Sequence, residues 1–227
     1  MADPETEQVV ARSFLGQLPR VLLDELLSTG DRAEYPDGAT IYRDGDEPRT
    51  LLVLRGLLRV YMTSPEGRQV TVRYARPADV LGIAVLVGGP ADVSVQTLEA
   101  VSLFRLDARV LKAAAKRDAR VSWALAEELN RRLYESLHNT AVNAFGSVRQ
   151  RVATHLLDLA SSQHTPETRL VARVSQQELS DAVGSSREVV ARVLRDLRSE
   201  GLVATGSESI HVVDPVGLQA QCWSAPA

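Results

Sequence analysis

Three charged residues near the C-terminal end of the chain have the side chains and the spacing to read the edges of base pairs. They are Arg187, Glu188 and Arg192, and the last two share a helix face because they lie four residues apart. An arginine fork donates to O6 and N7 of guanine, and a carboxylate accepts from N4 of cytosine. A helix face of arginine and glutamate is also common as a solvated surface laced with side-chain pairs. These residues alone therefore leave base recognition and a solvated surface as equal alternatives.

The residues around this group predict two short helices joined by a glycine turn. Ser175 is a good N-cap for the first helix, and Glu178 completes a capping box. Gly184 ends that helix, and Ser185 or Ser186 opens the second. This order matches a helix-turn-helix, in which the N-terminal residues of the second helix enter the major groove of double-stranded DNA. The predicted DNA-contacting residues are Ser175, Gln176, Ser186, Arg187, Glu188 and Arg192.

The stretch GSSREVVARVLRDLRSEGLV, residues 184–203, resembles the winged-helix signature of the Crp/Fnr family of bacterial transcription regulators. The resemblance places Arg187, Glu188 and Arg192 at the positions that read bases in the cyclic-AMP-receptor branch. Ala191 stands where the oxygen-sensor branch has a serine. The resemblance therefore implies a palindromic operator with half-sites similar to TGTGA, one helical turn apart.

The segment that follows the second helix predicts a wing. Residues 204–214, ATGSESIHVVD, contain the turn residues Gly206 and Ser207 and then a strand from Ile210 to Val213. The resemblance covers nearly the whole chain, and the extreme ends lie outside it. The predicted parts are N-terminal helices and a jelly-roll sensor domain in residues 1–106, a long dimerisation helix and hinge in 107–143, a winged helix-turn-helix in 144–214, and a tail in 215–227, with disorder expected for residues 219–227.

Composition excludes several other classes of protein. The 227 residues have a net charge of −3 and a pI near 5.9, which argues against a histone-like binder but permits a local basic surface. The single cysteine, Cys222, excludes a disulfide framework and an iron–sulfur cluster, and with the cluster the oxygen-sensing branch of the family. No apolar run reaches the length of a membrane span, and the acidic start MADPETEQVV is not a signal peptide. A cytoplasmic protein without membrane contact is expected.

The stretch from Ala33 to Leu106 predicts a small all-β domain. Short β-rich runs alternate with turns, and glycines and prolines recur about every ten residues, which is typical of a jelly roll or barrel. Gly56 within the run LLVLRGLLRVYM predicts a bulge or bend. The pattern also resembles the effector domain of the same family, whose turn positions are matched by Gly38, Gly45, Asp46, Gly56 and Gly82.

Jelly rolls also hold metal enzymes, whose sites need clustered histidines and carboxylates. None of the histidines falls between Ala33 and Leu106; they are His138, His155, His164 and His211. The chain has no nucleophile elbow, Walker loop or HExxH motif. The sequence therefore predicts neither a metal site nor an enzyme.

In the resembled family, a cyclic nucleotide is bound by a Gly-Glu pair at the ribose, an Arg-Ser pair at the phosphate and a Thr-Ser pair at the base. The residues at these positions here are Gly82 and Ile83, Ala91 and Asp92, and Ser136 and Leu137. A phosphodiester needs a cation or a nest of N–H donors, and a carboxylate repels it. No arginine close to these positions in sequence replaces the missing one. The sequence therefore predicts an effector pocket without positive charge, and DNA binding that needs no cyclic AMP.

Other effectors stay open at this stage. The apolar pocket walls permit an apolar effector or a plain core, and a dimer that needs no ligand is equally permitted. His138 is the one candidate axial ligand for haem, although a lone helix histidine is more often a surface or interface residue. No cofactor is therefore expected.

A long amphipathic helix is predicted between Asp107 and Asn143, a stretch without proline or glycine. Its leucine stripe consists of Leu125, Leu129, Leu133 and Leu137. Such a stripe can pack on its own barrel, whereas in the resembled family the corresponding helix pairs with its copy across a two-fold axis. Because one small barrel cannot cover a helix of this length, the stripe predicts a homodimer interface, followed by a hinge between Asn139 and Gly146.

The expected protein is therefore an α+β chain that acts as a homodimeric, DNA-binding transcription regulator, with RNA polymerase as a further partner. The alternative is a small-molecule-binding or protein-interaction module whose helix-turn-helix no longer reads DNA. Binding to a palindromic duplex that weakens with salt distinguishes the two, because only a groove reader neutralises phosphates in register.

Overall fold

The computed structural model describes residues 3–44, 46, 49–65, 67, 69–89, 92–162, 170–206 and 209–222, and of Ser161 and Ser162 only the backbone. The chain forms two compact units, residues 1–60 with 73–135 and residues 61–72 with 136–227. The helices are α1 (Pro4–Arg12), a 3-10 helix (Phe14–Gln17), α2 (Arg20–Thr29), α3 (Ile83–Gly88), α4 (Ala108–Arg117), α5 (Ala119–Phe145), α6 (Val148–Ser162), α7 (Gln176–Val183), α8 (Arg187–Ser199) and α9 (Pro215–Gln219). The strands are β1 (Asp31–Tyr35), β2 (Thr40–Tyr42), β3 (Thr50–Arg55), β4 (Leu58–Thr63), β5 (Gln69–Ala75), β6 (Val80–Leu81), β7 (Ser94–Thr97), β8 (Val101–Leu106), β9 (Val171–Ala172), β10 (Val203–Thr205) and β11 (Ile210–Val212).

The β-region folds into two four-stranded sheets, which confirms the predicted jelly-roll class. Their strand orders are β1-β8-β3-β6 and β2-β7-β4-β5. Successive residues of β3 face opposite sides, so Leu51 and Val53 join a core shared by both sheets. Leu52 and Leu54 join a second core beneath the helices. Since both faces of β3 are buried, its sequence is continuously apolar and has no polar alternation.

The helices of the first unit cover the outer face of the sheet that contains β3 and β8. Side chains of α1, the 3-10 helix, α2, α4 and α5 meet Phe104 and Leu106 in the second core. The first half of α5 is anchored there by Val121, Ala124 and Leu125. This packing fixes the long helix to the domain that holds the effector region.

The single long helix predicted from Asp107 to Asn143 is wrong, because the chain breaks at Asp118. The backbone of Asp118 is extended, with φ −126° and ψ 114°, and its Oδ1 accepts from the backbone N–H of Arg120 at 2.9 Å. An aspartate in this geometry is an N-cap, and it starts α5 as a new helix. Helix α5 then continues to Phe145, and Gly146 follows at the end of the predicted hinge.

The bend predicted at Gly56 is present as a turn between β3 and β4. Gly56 has φ +93°, and a Cβ there would lie 2.7 Å from the carbonyl oxygen of Ala100. The pairing of β3 with β8 shifts register between Val53 and Arg55, just before this turn. The predicted turn position Gly45 lies outside the described residues.

The C-terminal unit contains the predicted winged helix-turn-helix. Helices α6, α7 and α8 contact one another. Their buried leucines and valines include Leu156, Leu159, Leu179, Val190, Leu194 and Leu197. Strands β10 and β11 form the wing hairpin, with Val203 opposite Val212 and Thr205 opposite Ile210. Strand β9 extends the hairpin to three strands. The wing residue Ser207 lies outside the described residues.

The tail is ordered from 215 to 222, so the prediction of disorder is wrong for residues 219–222. Pro215 opens α9 at a position where its missing N–H is harmless, and Asp214 Oδ1 accepts from Gly217 N at 2.9 Å. Leu218 is fully buried. Gln221 Oε1 accepts from Arg149 Nε at 3.0 Å, which ties this segment to α6.

Candidate nucleic-acid interface and effector pocket

The helix-turn-helix has the local geometry that its sequence predicts. Ser175 Oγ accepts from Glu178 N at 3.1 Å, and Ser175 N donates to Glu178 Oε2 at 2.8 Å, so the capping box is closed. Gly184 ends α7 with φ +59°, in the left-handed region that glycine adopts without strain. Ser186 Oγ accepts from Val189 N at 3.4 Å and caps α8. The predicted contact residue Gln176 is exposed at the start of α7.

Helix α8 presents its predicted base-reading side chains to solvent. Val190, Leu194 and Leu197 bury one face, and Arg187, Glu188, Arg192 and Arg195 are exposed on the rest of the helix. Within the described part of the chain, none of these four forms an ion pair within 4.0 Å. A solvated face laced with pairs requires such contacts, so this observation favours base recognition over that alternative.

Local contacts keep Glu188 charged and hold α8 against the wing. Its own backbone N–H and then the Ser186 hydroxyl lower the pKa of Glu188, so the side chain is an anionic acceptor at neutral pH. Arg198 Nη1 donates to Thr205 Oγ1 at 3.3 Å and links α8 to the first wing strand. The helix and the wing are therefore held as one surface.

The junction between α5 and α6 is an ordered contact. Arg151 Nη1 donates to Asn143 O at 3.0 Å and to Gly146 O at 3.1 Å, where the last carbonyls of α5 lack helical partners. Ser147 and Gln150 form the capping box of α6, with Ser147 N donating to Gln150 Oε1 at 2.8 Å. A cation at a helix C-terminus is also favoured by the helix dipole. Arg151 of α6 therefore joins the two helices at the predicted hinge by hydrogen bonds.

The leucine stripe does not lie on one face of α5. Leu125 is 5% exposed and belongs to the core of its own domain, and Leu129 packs against that core. Leu133 and Leu137 are 55% and 54% exposed. Each step of four residues turns the side chain by about 40°, so the stripe rotates by about 120° between its ends. Leu125 is therefore corrected from an interface residue to a core residue, and the exposed part is Leu133 and Leu137.

The residues predicted to form the effector site are only partly brought together. Gly82 has φ +79°, and a Cβ there would lie 2.1 Å from the carbonyl oxygen of Arg49. Ile83 is buried in the core, whereas Asp92, Ser136 and Leu137 are exposed. Ala91 lies outside the described residues.

A cavity of about 170 Å³ lies beside Gly82 and Ile83. Its walls are largely apolar and include Val60, Val80, Leu81, Val93 and Leu129. Its polar groups are Tyr42, Arg73 on β5 and Arg132 on α5. The prediction of a pocket without positive charge is therefore wrong. The missed signal is the inward position of Arg73 on β5, between the buried residues Thr71 and Ala75.

A carboxylate on the turn after β5, Asp79, interacts with both arginines. Asp79 Oδ1 accepts from Arg132 Nη2 at 2.8 Å, and Asp79 Oδ2 lies 3.6 Å from Arg73 Nη1. Burial alone would raise the pKa of Asp79, but Arg132 and Arg73 outweigh it and hold the pKa below its ordinary value. On α5, Glu128 Oε1 accepts from Arg132 Nε at 2.8 Å and from Arg131 Nη2 at 2.7 Å. This ion-pair cluster binds α5 to the turn after β5.

The turn that carries Asp79 has a conformation unusual for its residues. Ala78 has φ +76°, which a type II turn requires at its third position and which glycine normally supplies. The turn is closed by Asp79 N donating to Arg76 O at 2.9 Å, and Ala78 N donates to Val53 O at 3.0 Å. The backbone strain of Ala78 is therefore balanced by contacts that aim Asp79 at α5.

Two further sequence predictions concern metals and membranes. The described residues contain no group of three or more histidine, cysteine or acidic side chains placed to hold a metal ion. His138, the haem candidate, has an exposed side chain. Among the described residues, no helix is both long and apolar enough to cross a bilayer.

Known proteins resemble this chain in both units. Residues 150–221 match the Crp-like helix-turn-helix domain, and residues 32–118 match the cyclic nucleotide-binding domain. The transcriptional regulator LdrP of Thermus thermophilus is 35% identical over 190 residues, which are 82% of this chain and 94% of that protein. The CRP-like cAMP-activated global transcriptional regulator of Mycobacterium tuberculosis is 28% identical over 215 residues, which are 92% and 96%. The crystal structure of a CRP-family transcriptional regulator from Thermus thermophilus has a TM-score of 0.73 at 31% identity, covering 85% of this chain and 97% of that one.

These relatives are described as regulators of transcription, and their likeness to this chain extends over most of its length. The two matched domains lie in the order that the sequence predicts, with the sensor fold before the helix-turn-helix. Arg187, Glu188 and Arg192 are exposed on α8 within the matched helix-turn-helix. The chain belongs to the Crp/Fnr family of transcription regulators and contains a helix-turn-helix DNA-binding domain.

Proposed function

We propose that this protein binds a palindromic operator as a homodimer and reads G·C-containing half-sites similar to TGTGA with α8. The observation that carries the proposal is the exposure of Arg187, Glu188 and Arg192 without ion pairs in the described chain, at the capped start of one helix. Side chains that read bases must exchange water for base edges, so they cannot be committed to one another. The N-terminal turns of a recognition helix are also the part that reaches the groove floor.

The homodimer is proposed from exposed apolar side chains on α5. Leu137 lies four residues after Leu133 and three after Tyr134, and all three are more than half exposed in the single chain. Such a stripe on one helix is the seam that a second copy of the helix covers. A two-fold dimer would match a palindromic operator, since protein and DNA then share one symmetry axis. If the bound dimer activates transcription, RNA polymerase is its further partner.

We also propose that operator binding needs no cyclic nucleotide. The cavity of about 170 Å³ is below the 300–1,000 Å³ of typical ligand pockets. Ile83, at the position of the ribose-binding glutamate, is buried in the core, and Arg132 is already paired with Asp79 and Glu128. The competing possibility is cyclic-AMP control, since the relative from Mycobacterium tuberculosis is described as cAMP-activated. Titration of cyclic AMP and cyclic GMP by calorimetry, with operator affinity measured in each, separates the two.

Selection of bound DNA from a random pool tests the proposed function. The full-length protein should enrich an inverted repeat whose half-sites contain G·C pairs at fixed positions. Arg192→Ala should lose the preference at one base pair per half-site, whereas Arg195→Ala, three residues farther along α8, should keep the selected sequence. A pool without an inverted repeat would favour the alternative, a ligand- or protein-binding module whose helix-turn-helix does not read DNA.

A further inference from the structure

Arg73 is a mostly buried guanidinium with few partners. It lines the cavity from β5, and its side chain is 21% exposed. Its contacts in the described chain are a 3.4 Å hydrogen bond from Nη1 to Tyr74 O and the 3.6 Å approach of Nη1 to Asp79 Oδ2. The donors on Nε and Nη2 have no protein acceptor among the described residues. Since a guanidinium carries five N–H donors, most of the hydrogen-bonding capacity of Arg73 is unused.

A second arginine, Arg132, competes with Arg73 for the charge of Asp79. Arg132 lines the same cavity, and it takes the short contact to Asp79 that Arg73 lacks. Burial, and then the like charge of Arg132, lower the pKa of Arg73 to about 10, so Arg73 is still cationic at neutral pH. Two cations therefore face one cavity. Arg132 is paired with both Asp79 and Glu128, whereas Arg73 has only Asp79 within 4.0 Å among the described residues. Glu135, the other acidic group near Arg73, lies in the exposed part of α5.

The size and walls of the cavity restrict which ligand could pair with Arg73. A volume of about 170 Å³ corresponds to five or six water molecules at about 30 Å³ each. Apart from the two arginines, the cavity offers the phenol of Tyr42, whose pKa is raised by burial and which is therefore a neutral donor. The rest of the wall is aliphatic, with Val80, Ile83 and Val93 among its residues. One small anionic head group and a short apolar body fit this lining, whereas a nucleotide does not.

We propose that the cavity is a binding site for a small apolar carboxylic acid, whose carboxylate accepts from the guanidinium of Arg73 and from Tyr42 while its hydrocarbon part lies against Val80, Ile83 and Val93. Arginine binds carboxylates through two parallel hydrogen bonds, which the free Nε and Nη2 of Arg73 can supply. The bound carboxylate competes with Asp79 for the two arginines. Ligand binding therefore weakens the ion pairs that hold α5 on the turn after β5. The site belongs to the sensor unit, and its existence does not depend on DNA binding.

Thermal unfolding of the full-length protein tests this site. Trp123 on α5 reports the sensor unit when Trp223 is replaced by Phe. Isobutyrate, benzoate, inorganic phosphate and cyclic AMP are compared with chloride at equal ionic strength, for the parent, for Arg73→Met and for the control Arg105→Met. Arg105 is a matched arginine on β8 whose partner is Asp31 at the surface. At least one of the two carboxylates should raise the parent midpoint saturably, with millimolar or tighter affinity, in the parent and in Arg105→Met. The same carboxylate should bind Arg73→Met at least tenfold more weakly.

Three results would overturn the assignment. The first is an equal shift in the parent and Arg73→Met, which would be a general salt effect, or no shift of the parent by either carboxylate. The second is saturable binding by phosphate or cyclic AMP alone, which would assign the cavity to a phosphate. The third is a large fall of the Arg73→Met midpoint in chloride, because removing an underpartnered cation should leave the ligand-free protein at least as stable. Since no DNA is present, none of these results bears on operator recognition.

Discussion

Replacing Asp79 by asparagine tests whether one carboxylate holds the long helix on the sensor domain. Asp79 lies 2.8 Å from Arg132 and 3.6 Å from Arg73, and the side chains of Asp79 and Arg132 are 17% and 16% exposed, so solvent screens them little. The amide keeps the size of the side chain and removes its charge. Breaking a buried ion pair costs about 3–5 kcal/mol, and because Glu128 still pairs with Arg132, we expect the lower end, about 3 kcal/mol.

Urea unfolding followed by Trp123 fluorescence, in a Trp223→Phe background, measures this cost. Asp31→Asn is the control, because Asp31 pairs with Arg105 at the surface and its loss should not change the unfolding midpoint measurably. Combining Asp79→Asn with Arg73→Met should recover part of the lost stability, since Asp79 is the only carboxylate within 4.0 Å of Arg73 among the described residues. An Asp79→Asn protein that unfolds at the urea concentration of the parent would refute the role of this cluster.

The same carboxylate gives a pH dependence of known sign. The pKa of Asp79 in the folded protein is below its ordinary value of 3.8, so the group binds its proton more readily in the unfolded chain. Its stabilisation is therefore complete above pH 3.8 and is lost as the pH falls through the folded-state pKa. Asp79→Asn should flatten the dependence of the unfolding midpoint on pH below 4. If the unfolding midpoint of Asp79→Asn depends on pH below 4 as that of the parent does, this assignment is contradicted.

Two further predictions concern the dimer and the operator. Leu133→Asp should give folded monomers in sedimentation, because Leu133 is exposed in the single chain, whereas Leu125→Asp should unfold the sensor unit, since it buries a carboxylate in the core. A parent protein that sediments as a monomer at micromolar concentration would exclude the proposed interface. Arg192→Ala should cost about 1–3 kcal/mol per half-site and relax specificity at one base pair, whereas Arg195→Ala should weaken all sequences alike. Unchanged affinity of Arg192→Ala for the selected site would show that Arg192 does not read a base.

The DNA-reading half could be predicted because its signals are local. A capping serine, a left-handed glycine and a second capping serine lie within a few residues of one another, and each acts through its own backbone neighbours. The wing hairpin follows for the same reason. The ordered structure of the tail could not be predicted, because most of its residues are small or polar. The burial of Leu218 depends on the folded domain and not on its neighbours in sequence.

The effector cavity could not be predicted, because its charge comes from distant parts of the chain. Arg73 and Arg132 belong to a strand and a helix that meet only in the folded sensor unit. The alignment positions of the family motif pointed instead to Asp92 and Ser136, which are exposed. The prediction that all four leucines lie at the dimer interface is wrong in part for a geometric reason. A spacing of four residues does not match the 3.6 residues of a helical turn. Such a stripe turns from its own core toward solvent along α5.

The binding of the full-length protein to its selected palindrome tests the central claim most directly. Fluorescence anisotropy would compare the palindrome, a duplex with one half-site scrambled and a fully scrambled duplex, over a range of salt concentrations and without any nucleotide. We predict that the intact palindrome binds most tightly, that scrambling one half-site weakens binding by at least tenfold, and that log affinity falls linearly with log salt concentration. Equal affinity for the scrambled duplex, or binding that appears only after cyclic AMP is added, would contradict the proposal.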